Sequence, residues 1–160
     1  MEVGKLGKKE IEERVSPLVK RTLDNLLLTE KERKDLPRIV VTNLNNQPDL
    51  KRDAGAYINE DVILLDSKDG DETTLAHELG HYYSNQPKFF DTFKEYLRGE
   101  IEANLWGYKR LNKPEHLKGR LRNYLNRAMN EYGIKLKVAF LLVKKELKDQ
   151  GSPQTWINDL

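Results

Sequence analysis

Two histidines four residues apart, His77 and His81, flank a glutamate in the stretch Leu75-Ala76-His77-Glu78-Leu79-Gly80-His81. On an α-helix, residues at that spacing stand one above the other on one face. Both imidazoles can therefore close on one metal ion. Glu78 is one position round from His77, near enough to hold a water bound to that ion. Zinc suits two imidazoles and a carboxylate with a fourth position open for water. The ion lowers the pKa of that water toward about 7, and a carboxylate beside it can take the proton. His-Glu-x-x-His is the pattern of zinc peptidases. The chain has only three His in 160 residues, so the spacing is a specific signal. The bland alternative is an exposed helix with two solvated histidines. Leu75, Ala76, Leu79, Tyr82 and Tyr83 weigh against it, because they make the segment apolar on most sides, as a buried helix requires. Gly80 weakens a helix by about 1 kcal/mol, which points to something packing closely at that position.

A catalytic zinc takes three protein ligands as a rule, so one more must come from elsewhere. His116 and the carboxylates after residue 90 are the candidates. Asp91 to Leu111 reads as a helix, with Phe93, Leu97, Glu100, Ala103, Asn104, Gly107 and Leu111 at spacings of three or four. That stripe is apolar or small except for Glu100 and Asn104. A carboxylate on such a stripe needs a partner, since an unpaired buried charge is costly. Glu102 falls on another face, with Glu95, Arg98 and Lys109. Helical facing ranks Glu100 above Glu102 as third ligand and leaves both in play. His116, next to Glu115, opens a helix and reads first as a surface residue.

These residues carry a resemblance. His77-Glu78-Leu79-Gly80-His81 followed by Glu100-Ile101-Glu102-Ala103-Asn104 resembles the ImmA/IrrE family of metallopeptidases, within the gluzincin group. The similarity spans roughly residues 54 to 150, and its first motif is much the more specific. Trp106-Gly107 stands where the family has Phe-Ala. The resemblance implies a zincin-like fold, His77, His81 and Glu100 as zinc ligands, and Glu78 as general base. It also implies Asn104 as a partner behind one of the ligands. It further implies a narrow protein target, a DNA-binding repressor of the helix-turn-helix kind.

The elements that must position these residues follow from periodicity. Lys8 to about Leu28 reads as a helix with Ile11, Val15, Leu18, Val19, Leu26 and Leu27 on one face. Pro17 lies inside it, or Ser16-Pro17 starts a shorter helix. Residues 1–7 read as disordered, and Glu30 to Asp35 as a solvated connector. Arg38 to Thr42, Ala54 to Ile58 and Val62 to Leu65 read as strands, the last two forming a hairpin. Val62, Ile63 and Leu64 are candidate substrate-binding residues, because a peptide can add to a free sheet edge as an extra strand. The same run fits an interior strand equally well. Asp71 is a good N-cap for a motif helix from Glu72 to about Ser84. Pro114 to about Tyr132 reads as a helix with Leu117, Leu121, Tyr124, Leu125, Ala128 and Met129 inward, and Gly133 as its C′ residue. A last helix, Lys135 to Lys148, would bury Val138, Leu141, Leu142 and Leu147, and Gly151 and Pro153 stop it. The expected architecture is a single α+β domain over 1–160: about three strands, the metal helix and three to four further helices.

Composition narrows the function classes. Charged residues make up 34% and apolar residues 38%, enough for a core. A net charge of +2 gives no broad electrostatic footprint for nucleic acid, although Lys118, Arg120, Arg122 and Arg127 form a basic helical stripe. No Cys is present, which removes thiol chemistry and fits a reducing compartment. Met1 to Glu13 lacks the apolar core of a signal peptide, and no stretch is long enough for a membrane span. The expectation is a cytoplasmic zinc peptidase with a protein or peptide substrate. Two readings compete: an idle zincin scaffold used for binding, and a DNA-associated regulator using the basic C-terminal helices.

Overall fold

A computed structural model describes residues 8–44, 55–59, 62–84, 91–111 and 120–160. The N-terminal 1–7, most of the loop between the first two strands, the hairpin turn at Glu60-Asp61, Pro87 and His116 lie outside those residues. In chain order come α1 (Lys8–Asn25), α2 (Glu30–Lys34), β1 (Arg38–Thr42), β2 (Gly55–Asn59) and β3 (Val62–Asp66). They are followed by α3 (Glu72–Tyr83), α4 (Phe93–Arg110), α5 (Arg120–Tyr132), α6 (Leu136–Asp149) and α7 (Gln154–Asn158). This is a helix-rich α+β arrangement. Two more helices are present than expected, α2 and α7, both of five residues. The charged connector forms α2 because Thr29 and Glu32 make a reciprocal capping box that satisfies its first N–H groups. Pro17 lies within α1, so the longer of the two readings of that helix applies. No helix among the described residues is long and apolar enough to cross a membrane.

The sheet order is β1-β3-β2, with β1 parallel and β2 antiparallel to β3. The central place of β3 explains its composition. Ile63 and Leu65 face Val41, Leu75 and Leu79 on one side, and Leu64 packs with Val40 and Leu44 on the other. A strand covered on both faces reads as a continuous apolar run. It also corrects the substrate-binding expectation for Val62, Ile63 and Leu64. Both edges of β3 are hydrogen-bonded to neighbours, so its main chain has no open side for an added strand. β2, at one edge of the sheet, packs against α3 at Gly55, beside Thr74 and Glu78.

Asp66 ends β3 and ties down the turn that launches α3. It is buried, and its carboxylate accepts from the backbone N–H groups of Leu44 (3.0 Å), Lys68 (3.1 Å) and Asp69 (2.8 Å). Burial pushes its pKa up, but those three N–H donors and Lys68 hold it below the ordinary aspartate value. A depressed folded pKa stabilises above the unfolded value and is lost as pH falls through the folded one. Asp66→Ala is therefore expected to cost about 2 kcal/mol at neutral pH, chiefly through the buried Leu44 N–H left unpaired, with a smaller loss at the part-buried Lys68 and Asp69 N–H groups. Urea denaturation measures it, and the difference from the parent should shrink as pH drops below about 4.

Two cores share α4. The first joins the sheet, α1 and α3, and includes Trp106 and Leu111 near the end of α4. The second is made by Phe93, Tyr96, Leu97, Ile101 and Leu105 of α4 with α5, α6 and α7, where Tyr124, Val143 and Trp156 are fully enclosed. Sequence periodicity located α6 and half of its buried face: Leu147 is in the core and Leu142 packs against it. Ala139, Val143 and Leu147 point inward, whereas Val138 and Leu141 are 48% and 65% exposed. Met129 on α5 is likewise exposed, and so is Leu27, which follows the last turn of α1 and leaves its helical period. Gly151 closes α6 with φ of +69°, as Ser152 N–H bonds Leu147 O and Gly151 N–H bonds Lys148 O. Gly133, at φ +62°, follows α5 in the same left-handed conformation.

Candidate metal centre

The site is set by where α3 crosses α4. Asp71 caps α3, its Oδ1 accepting from Thr74 N–H at 2.8 Å and from the Thr74 hydroxyl at 2.9 Å. Every residue from Thr73 to His81 is buried, so the motif helix runs through the interior. Gly80 makes this possible. A methyl group there would stand 2.5 Å from Ala103 O and 2.8 Å from Ala103 Cα. One turn on, Gly107 of α4 lies against Ala76, where a methyl would come within 3.3 Å of the Ala76 Cβ. Small residues thus seat the two helices backbone to backbone. Gly80→Ala should therefore destabilise by about 2 kcal/mol, since overpacking outweighs the propensity gain of about 1 kcal/mol. It should also weaken metal uptake, because α4 must shift and carries Glu100 of the candidate triad. A thermal melt with and without zinc reads both effects.

This close crossing brings three side chains together. His77 Nε2 lies 2.9 Å from Glu100 Oε2, His81 Nε2 lies 3.2 Å from Glu100 Oε1, and the two Nε2 atoms are 3.0 Å apart. His77, His81 and Glu100 could together hold a metal ion. Ligands about 2.1 Å from a tetrahedral zinc stand about 3.4 Å from one another, a few tenths of an ångström beyond the 2.9–3.2 Å seen here. Glu102, the competing carboxylate, is exposed on another face of α4. His116 lies outside the described residues.

The chemistry of the donors fits a cation. His77 Nδ1 donates to Asn104 Oδ1 at 2.6 Å, and Asn104 Nδ2 donates to the Tyr124 hydroxyl. With its proton on Nδ1, His77 presents a lone pair at Nε2, toward the Glu100 carboxylate and the second imidazole. Burial and the positive charge of Arg120 push the His77 pKa below the ordinary histidine value, against the pull of Glu100. That favours the neutral ligand form. Burial would raise Glu100, but the two imidazoles hold it well below the usual carboxylate range. A cluster of two lone pairs and a carboxylate is one that a divalent cation satisfies.

Glu78 is buried on α3 and is not part of the triad. Its Cγ is packed against β2, where a methyl on Gly55 would come within 3.3 Å of it and within 2.6 Å of Thr74 Cγ2. Strand β2 therefore passes beside the general-base candidate. Behind the site, Trp106 is clamped between Tyr83, stacked at 5.2 Å, and the Arg110 guanidinium, 4.2 Å from the ring centroid. Arg110 also reaches Glu32 at 3.3 Å, and the Tyr83 hydroxyl donates to Glu32 O at 2.6 Å. The indole thus has a packing role that ties α2 to α3 and α4.

Sequence reasoning missed two contributors. Helical spacing puts Tyr124 on the inner face of α5, and only the fold shows that its hydroxyl meets Asn104. A buried tyrosine hydroxyl needs a hydrogen-bond partner, which signals that one exists without naming it. Helical spacing puts Arg120 on a basic outer stripe, yet it is half-buried and its charge acts on His77. Arg127 of that stripe lies over the Tyr96 ring at 4.6 Å and pairs with Glu131 at 2.6 Å. Searched against protein-family models, curated proteins and solved structures, the chain matches none.

Proposed function

We propose that this chain is a zinc-dependent peptidase that cuts an extended segment of a protein partner. One observation carries the reading: His77, His81 and Glu100 converge at 2.9–3.2 Å while Glu78, adjacent to a ligand, stays outside the triad. A structural zinc site closes with four ligands and has no use for such a carboxylate. A hydrolytic site requires a base there. Zinc bound by the triad would supply a positive charge that polarises a scissile carbonyl and makes water more acidic. Glu78 accepts the proton of the attacking water and returns it to the leaving amine. The packing of Glu78 against Gly55 limits its swing and keeps it beside β2. The outer edge of β2 is unpaired among the described residues, so a substrate segment can add there through main-chain hydrogen bonds. This moves the substrate edge from β3 to β2.

The similarity of the two motifs to ImmA/IrrE peptidases, with their zincin-like fold, supports a narrow target, a helix-turn-helix repressor with a flexible linker. Strand addition demands an extended, unpaired stretch, which such a linker offers. Metal analysis and a cleavage assay test the reading together. One zinc per chain, a single cut in a repressor partner and intact casein are expected. Rapid, sequence-blind digestion of casein would overturn the narrow target. Zinc uptake with no cleavage of any polypeptide would favour an idle scaffold.

A further inference from the structure

The hydrogen bonds behind His77 do not stop at Asn104; they continue to Tyr124 on α5, a helix that carries no ligand. We propose that Tyr124 is a positioning residue for the metal site. Its hydroxyl holds the Asn104 amide in the one rotation that leaves His77 Nε2 free to bind a cation. The proposal rests on the metal reading above.

An asparagine amide is two-faced, with an accepting oxygen and a donating NH₂ group. Rotated by half a turn, Asn104 would offer His77 a donor. Nδ1 would then have to accept, and the ring proton would move to Nε2, into the middle of the ligand cluster. In the observed rotation, Nδ2 donates to the Tyr124 hydroxyl and Oδ1 accepts from Nδ1. The hydroxyl is itself fixed. Tyr124 is 2% exposed, and its ring meets that of Tyr96 edge-on at 6.3 Å. Burial and the Glu100 charge push its phenol well above the usual range, so it stays neutral. Without the hydroxyl, the buried Asn104 amide loses its partner and is free to turn. Partners behind a metal-bound histidine change metal affinity by about 10- to 100-fold. The core shared by α4, α5 and α6 thereby acts on a site whose ligands all lie on α3 and α4.

The test is Tyr124→Phe, which keeps the ring and removes the hydroxyl. Two measurements read it: competition for zinc against a chromophoric chelator, and NMR of the His77 Nδ1 proton with and without zinc. Zinc affinity should fall about tenfold. The Nδ1 proton should lose its protection from exchange, with and without zinc, while the melting temperature of the metal-free protein falls only by the few degrees that one unpaired buried donor costs. Asn104→Asp provides the control, because both carboxylate oxygens accept and rotation no longer matters. In that background Tyr124→Phe should cost less than about twofold, the non-additivity expected of coupled groups. An equal loss in both backgrounds would assign Tyr124 a packing role and overturn the proposal. Unchanged affinity and an unchanged Nδ1 signal in Tyr124→Phe would also overturn it. A parent chain that takes up no zinc would instead sink the peptidase reading, and the Nδ1 signal of the metal-free protein would then decide the positioning role alone.

Discussion

Glu78→Gln should leave one zinc per chain and lower the rate of peptide-bond cleavage by about a thousandfold, the scale of a lost general base. The two side chains have nearly the same shape, so the packing against Gly55 and Thr74 survives. The amide cannot take a proton from water at neutral pH. The ligands are untouched, since Glu78 is outside the triad. The effect should fall on kcat with little change in KM, because the lost interaction belongs to the transition state. Single-turnover kinetics on a partner that the parent cuts would measure it. A variant as fast as the parent would remove Glu78 from the mechanism.

Glu100→Ala should do the opposite and empty the site. A carboxylate ligand is lost, and zinc affinity should drop by more than about a hundredfold, beyond the effect of removing an outer partner. In the parent, zinc at a thousandfold above its Kd adds about 4 kcal/mol to stability. A thermal melt should show that gain in the parent and not in Glu100→Ala. Glu102→Ala is the control two residues away. Its side chain is on the exposed face, so its effect on stability should stay within about 0.5 kcal/mol and the zinc-induced shift should remain. The reverse outcome would place the ligand on the other face of α4.

Much of this site could be read from residue types at fixed spacing. His77, Glu78 and His81 share a single helix, and helical geometry alone sets how they face. Asp71 as cap and the paired strands β2 and β3 were readable for the same reason, since their signals are local. Glu100 ranks above Glu102 by the stripe on α4, and Gly80 within the motif points to a close neighbour. The structure shows that neighbour to be Ala103 of α4. Local signals failed where two elements had to choose between faces. On α6, Val138 and Leu141 look like core positions by size, but the face that meets the rest of the core carries Ala139, Val143 and Leu147.

What the sequence determined by itself is the chemistry on offer: two imidazoles on one turn, a carboxylate beside them and another on a buried stripe. Those facts depend on helical periodicity, which acts over a few residues and needs no knowledge of the rest of the chain. The tertiary structure alone decided which side chains meet. It set His77 and Glu100 2.9 Å apart, put β3 in the middle of the sheet so that β2 holds an edge and packs against α3, and carried Tyr124 from a second core to the back of the site. Each of these depends on contacts between residues far apart in the chain. The order of strands and the partner of a buried hydroxyl are set by which packing of whole elements fills space best, and no window along the sequence contains that information.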